Sequence, residues 1–322
     1  MTKLRDLKRW IDDKIAYLVR KRRPIEKLLA KLVIYALLIT ISYVFLFPFF
    51  SMLSLSMMSQ EDIINVEIDY IPTRLYFGNF TVALTVMDGF RAFFNSVWFS
   101  GILAISQTII SALTGYAFAR YDFRFKGILF ALILISFIVP VPIIFIPRFM
   151  MFIGIQSNLG IKMIGTVIPQ MLMALLGQGV NSAILILIFY NFFRMIPNVL
   201  YEAARIDGAS PFNQFWEITI KMSLSTIVVV FLFSFVWNWN ETYVTGQLVG
   251  DNMVLLPQQL SIFDSLFQNR APSIPGQDGE ARINEAYRMA GTILSMLPLF
   301  IIYFTAQRQF VEGIENTGIT GE

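Results

Sequence analysis

The chain has 322 residues, 56% of them hydrophobic and only 15% charged, against about 25% charged in an ordinary soluble domain. With 25 Lys and Arg, 22 Asp and Glu, a net charge of +3 and a mean hydropathy of +0.63, it has too few polar groups to cover a globule in water. It contains no Cys and no His, which excludes disulfides, thiolate nucleophiles, sulfur-ligated zinc and His-centred acid–base catalysis.

Taken in chain order, residues 1–31 are a basic arm holding 11 Lys and Arg. Leu4, Leu7, Ile11, Ile15 and Leu18 recur there at helical spacing, which fits either an amphipathic helix on the inner leaflet or a solvated arm that only sets topology. The apolar run that follows is too long for the core of a cleavable signal, so the arm is expected to stay. Six stretches then lack Asp, Glu, Lys and Arg altogether: 32–60, 92–119, 127–147, 163–193, 222–240 and 289–307. Each has 19 to 31 residues. A helix needs about 20 apolar residues to cross the hydrocarbon core, where its backbone must satisfy its own hydrogen bonds. The expected fold is therefore an all-α membrane protein with six transmembrane helices. The shorter charge-free runs 75–87, 149–161 and 252–263 fall below a span and are expected at the interface or outside the membrane.

Basic residues orient this arrangement. With the N-terminus in the cytoplasm, the inner segments 1–31, 120–126, 194–221 and 308–322 hold 18 of the 25 Lys and Arg, while the acids divide evenly. The positive-inside rule then places both termini in the cytoplasm. The first helix lies at 32–60, an extracytoplasmic loop at 61–91 and the main core at 92–307. That core includes outer segments at 148–162 and 241–288, and a cytoplasmic tail follows at 308–322.

Within the spans, Asn95, Gln107, Gln170, Gln178, Asn181, Asn238 and Asn240 are amides that either join helices or line a wet path. Pro140, Pro142 and Pro147 are expected to kink or end the third helix. Pro169, Gly177 and Gly179 are expected to loosen the fourth, and such interruptions in membrane helices accompany cavities. Ser111, Gly115 and Ala119 form a stripe of small residues on the second helix that permits close packing. Trp237, Asn238, Trp239 and Asn240 end the fifth span with a pairing of flat apolar rings and amides that suits a sugar, although an interfacial aromatic belt has the same composition.

The inner loop 194–221 is too long for a tight turn and reads as two short helices. The first starts at Asn198 after Pro197 and stops at Asp207 and Gly208. The second starts at Ser210, an N-cap followed by proline at the first helical position, and carries Phe212, Phe215, Trp216 and Ile218. The result is a knob that presents bulky apolar groups to the cytoplasm.

The run YEAARIDGAS at 201–210 contains Glu-Ala-Ala followed three residues later by Gly. It resembles the EAA signature of permease subunits of binding-protein-dependent ABC importers, in the carbohydrate-uptake form of the smaller maltose-permease-type subunit. FFNSVWFSGI at 93–102, LTGYAFARYDF at 113–123, the Val139, Pro140 and Pro147 stretch, and AQRQFVEGI at 306–314 are similar to that family too. The resemblance implies that Glu202, Ala203, Ala204, Asp207 and Gly208 form a coupling helix seated in a groove of an ATPase subunit. Small alanines allow close approach, glycine takes the turn, and a carboxylate near a helix start is free to meet a basic partner. Where the family continues with Leu-Pro, this chain has Ile220 and Lys221, and Ser225 stands where a second proline is common, which leaves open the angle at which the fifth helix departs.

No Gly-x-x-x-x-Gly-Lys-Ser/Thr loop occurs, so nucleotide is not held in the usual way and the chain is expected to be a transport subunit rather than an enzyme. It is expected to carry no cofactor or metal, with ATP and Mg bound by partner subunits. The family implies a second homologous permease, two ATPase subunits and an extracytoplasmic solute-binding protein that delivers a carbohydrate, an oligosaccharide by resemblance. The partners also include the lipid membrane and exclude nucleic acid. Gln178, Asn181, Trp237, Asn238, Trp239 and Asn240 are the candidate substrate-path residues, and no catalytic residue is assigned. The alternative is a stand-alone secondary transporter or channel for a small solute. Ion coupling in such a protein would call for membrane-embedded charges, which the six charge-free cores lack.

Overall fold

A computed structural model describes residues 2–270 and 285–316, with side chains described over 27–270 and 285–309. The expected apolar stripe of the basic arm, loop residues 271–284 and the end of the tail therefore lie outside the described residues. Among those described, the regular elements are all helical. The chain divides into two compact units, Met1–Tyr76 and Phe77–Glu322.

In the first unit, α1 (Thr2–Ser56) joins the basic arm and the first apolar run into one helix. Its Lys27–Ser56 part is 30 residues long, and no residue of its most apolar window is buried. Such a helix finds its apolar partners in lipid or in another chain. α2 (Gln60–Ile64) follows, with the Ser59 side chain accepting the Asp62 N–H at the helix start. Asp62 in turn accepts from the Thr73 hydroxyl at 2.6 Å and from the Thr73 N–H at 3.3 Å. These bonds, the Thr73 hydroxyl first, hold its carboxyl below the usual carboxylate value.

The second unit is arranged around α4 (Gly89–Arg120), a helix of 32 residues with buried positions from end to end. α8 (Ser182–Met195) and α11 (Leu224–Asn240) pack along it, α7 (Ile168–Leu175) and α13 (Leu256–Ser261) also touch it, and α15 (Glu285–Asn316) lies against α11 and α3 (Gly78–Val86). The small-residue stripe works as expected. A Cβ on Gly115 would stand 2.7 Å from Phe189 Cβ and 3.1 Å from the Ile186 carbonyl, so α4 and α8 meet there nearly backbone to backbone. One apolar cluster joins Met87, Phe235, Trp239, Phe263, Phe267 and Tyr287, and α14 (Phe263–Arg270) contributes to it. A second joins Phe99, Leu103, Phe145, Phe152 and Leu248, the last from α12 (Tyr243–Leu248). A third joins Tyr116, Leu185, Phe189, Phe193, Tyr201 and Phe215.

The prolines set the helix ends. α5 (Lys126–Ile138) stops because Val139, which precedes Pro140, is extended at φ −70° and ψ 126°, and α6 (Val141–Leu159) restarts with Pro142 in its first turn. The third charge-free run is therefore two helices. The run 149–161, too short for a span on its own, is absorbed into the 19-residue α6, which continues through Pro147 and Arg148. The fourth run also divides, into α7 and α8, across the Gly177–Asn181 connection. Among the described residues four helices are long and apolar enough to cross a membrane, and the number rises to six if each of two bent pairs is one span.

Candidate functional site

The loop 194–221 folds into short helices as expected, but Phe215, expected to face outward, is buried against the spans. α8 bends by 71° into α9 (Asn198–Ile206). α9 ends on Gly208 at φ +78°, with Gly208 N–H donating to the Arg205 carbonyl at 3.1 Å and Ala209 N–H to the Ala204 carbonyl at 2.8 Å. This paired closure needs a left-handed residue, which glycine takes without steric cost. Ser210 then accepts the Asn213 N–H at 3.2 Å and starts α10 (Pro211–Asn213). A π-helix over Gln214–Ile220 follows, and an 83° bend leads into α11. The departure angle left open by the missing prolines is thus a sharp one. The wide π turn and the Ser223 hydroxyl, which donates to the Thr219 carbonyl at 2.6 Å, accompany the bend in their place.

Arg120, at the end of α4, ties this knob to the spans. Its guanidinium donates to the Asn198 side chain at 2.6 Å, to the Ile196 carbonyl at 2.7 Å and to the Phe193 carbonyl, and it lies 4.1 Å from the centre of the Tyr201 ring. One cation therefore caps the orphan carbonyls of α8 and holds the first turn of α9. Tyr201 and Thr219 share a hydrogen bond of 2.8 Å that joins α9 to the π-helix. The outward face is left bare. Glu202, Ala203, Asp207 and Gly208 are exposed and Ala204 is half-buried. Beside them Ile206 and Phe212 are 87% and 71% exposed. Among the described residues Glu202 makes no ion pair.

Further along α4, Gln107 is fully buried at the centre of a polar cluster. Its amide N–H groups donate to the Val180 carbonyl and the Ser182 hydroxyl, both at 3.0 Å, while its oxygen accepts from Ser234 at 2.6 Å and Asn238 at 2.5 Å. A Cβ on Gly179 would lie 2.1 Å from the Gln107 amide nitrogen, so glycine is what lets this side chain in. Next to the cluster a cavity of ≈ 120 Å³ opens between α4, α6, α7, α8 and α11, with room for several waters. Gln178, Asn181 and Asn238 line it, as do Arg148, Gln170 and Glu241.

Residues 107–316 match the binding-protein-dependent transport system inner membrane component family. The chain belongs to that family. This permease is 25% identical to the arabinooligosaccharides transport system permease of Halalkalibacterium halodurans, over 87% of this chain and 93% of that one. It is 26% identical to the lactose transport system permease of Rhizobium radiobacter, over 90% and 97% of the two chains. It is also 26% identical to the sn-glycerol-3-phosphate transport system permease of Agrobacterium fabrum, over 92% and 99%. A bacterial ABC transporter that imports the acidic polysaccharide alginate contains a chain of the same fold, with a TM-score of 0.66, 18% identity and coverage of 86% of this chain and 95% of that one.

The tertiary structure separates the four aromatic and amide residues at the end of α11. Trp239 is buried against Phe235 at 5.7 Å, Trp237 stacks on Phe233 at 5.4 Å, and Asn240 is exposed and donates to the Val236 carbonyl at 3.0 Å. Of the four, only Asn238 reaches the cavity of the permease. Sequence reasoning counted Arg120 and Arg148 only as topology charges. The signal available for Arg120 is its place within the 113–123 stretch, directly after the last residue of the small-residue stripe. For Arg148 it is the position of a lone cation between two charge-free runs.

Proposed function

We propose that this permease is the membrane-spanning subunit of an ATP-driven importer that passes a carbohydrate across the inner membrane by alternating access. The observation that carries this reading is the exposed α9 knob, closed on Gly208 and clamped by Arg120, inside a chain of this family. Glu202, Ala203, Ala204, Asp207 and Gly208 meet a groove of an ATPase subunit, and Val199, Ile206 and Phe212 supply apolar area to that contact. Arg120 and the Tyr201–Thr219 bond pass its movement to α4, α8 and α11. Two ATPase subunits hold ATP and Mg, a second homologous permease completes the path, and a solute-binding protein delivers cargo from outside. Both termini and the knob face the cytoplasm. Gln178, Asn181 and Asn238 belong to the cargo path. The named relatives transport oligosaccharides, lactose and sn-glycerol-3-phosphate, so the cargo class they support is a sugar or a sugar-like polyol derivative.

Purification of the tagged chain from its native membrane in mild detergent tests the reading. The expected result is co-purification of a second permease and two copies of an ATPase, with ATP hydrolysis stimulated by a sugar-loaded binding protein. Recovery of the chain alone or as a homo-oligomer would favour a secondary transporter or channel instead. Cysteine labelling is clean in a chain with no Cys: Thr81→Cys is expected to react from outside, and Phe212→Cys only after permeabilisation. The opposite pattern would overturn the orientation.

A further inference from the structure

Arg148 sits in the middle of α6, a helix long and apolar enough to cross a membrane. A guanidinium partly removed from water costs free energy that a paired carboxylate or a bound anion offsets. Among the described residues Arg148 has no carboxylate within ion-pair distance. What holds it is neutral: the guanidinium donates to the Gln178 carbonyl at 3.1 Å and to the Gln178 side-chain oxygen, and touches the Met173 sulfur at 4.0 Å. A guanidinium carries five N–H donors, so Gln178 orients the fork without using it up and without neutralising it.

The same cavity is lined by further polar residues. Gln170 is 4% exposed, and its amide donates to Thr245 at 2.8 Å while its oxygen is buried without a partner. Glu241 lines the cavity as well. One of its oxygens accepts the Val244 N–H at 2.7 Å, which ties its charge to the start of α12 and leaves the other oxygen for a hydroxyl.

We propose that this cavity is a subsite for an acidic group on the carbohydrate cargo, a carboxylate or a phosphate. Arg148 meets the anion with its fork, and Glu241 accepts a hydroxyl of the attached ring. The proposal rests on the cargo-path reading given above and adds the chemical class of the cargo. A neutral sugar would leave the cation desolvated and unpaired, whereas an acidic one neutralises it.

The test uses the intact importer, purified with its partner subunits and its binding protein and placed in proteoliposomes. ATP-driven uptake is measured for a triuronate, for the neutral trisaccharide of the same ring type and for a hexose phosphate. Wild type is expected to prefer one acidic probe over the neutral one by roughly tenfold, and which acidic probe wins separates carboxylate from phosphate. R148Q is expected to lower uptake of the acidic probe by more than that of the neutral one and so to lose the preference, and R148K to retain part of it, because a point charge replaces the fork. Preference for the neutral trisaccharide, or an equal fall of all probes in R148Q, would overturn the acidic subsite while leaving the carbohydrate importer standing. Uptake of none of the probes by a complex that lacks an ATPase subunit would defeat the importer reading itself.

Discussion

The knob at the end of α4 and the cavity near its middle use the same kinds of side chain in opposite ways. At the knob the cation, Arg120, donates from its two terminal nitrogens to two carbonyls and a side-chain amide of its own chain while its Nε has no partner, and the apolar groups Ile206 and Phe212 are left uncovered. At the cavity the apolar groups are packed into walls, as with Phe145 and Leu103, while the cation Arg148 and the oxygen of Gln170 keep unspent capacity. A surface that docks protein needs a rigid frame and free apolar area; a subsite for a polar solute needs a rigid apolar frame and free hydrogen-bonding groups. The two regions share α4 and α11.

Substitutions separate the two regions, and the largest effect belongs to Gly179. Gly179→Ala drives a methyl into the Gln107 amide, and the amount of folded chain in the membrane is expected to fall roughly tenfold. Adding Gln107→Ala removes the collision and should restore part of that loss, as measured by detergent-solubilised yield and thermal melting. Failure of the second change to help would mean that Gly179 serves some purpose other than admitting Gln107. Arg120→Ala comes next: the chain should remain in the membrane, while uptake and co-purification of the ATPase drop by about tenfold as α9 loses its clamp. Normal retention of the ATPase would move the transmission route away from Arg120.

Gly208→Val acts in a narrower way. The left-handed backbone disfavours valine by about 1–2 kcal/mol, while no atom within 4 Å obstructs its Cβ, so the spans should stay folded and uptake should uncouple from ATP hydrolysis. Unchanged uptake would remove the knob from the mechanism. The smallest contrast is on α11. Asn238→Ala should lower uptake several-fold because Asn238 both lines the cavity and bonds Gln107, whereas exposed Asn240→Ala should leave it unchanged. Equal effects would argue that an interfacial belt, rather than the cavity, is what this end of α11 provides.

The parts of this protein legible in sequence are those governed by a few neighbouring residues. Val139 before Pro140 is disfavoured in a helix, Ser210 before Pro211 begins one, Gly208 closes one, and Gly115 marks a close approach, because each depends on local sterics or on the absence of a side chain. The charge-free runs likewise report where apolar helices lie, since a charge in hydrocarbon is costly wherever it occurs. The tertiary structure decided what those helices meet. It divided the third run so that α6 carries Arg148 into the cavity, sent Trp239 into the core while Trp237 stacked on its own helix, and drew Gln107, Ser182 and Asn238 into one cluster across long sequence separations. It also set the 83° bend into α11, an angle the sequence left open, with a π turn ahead of it. These outcomes depend on which faces become neighbours after packing, and a hydrogen bond between residues 131 positions apart has no local signature in the chain.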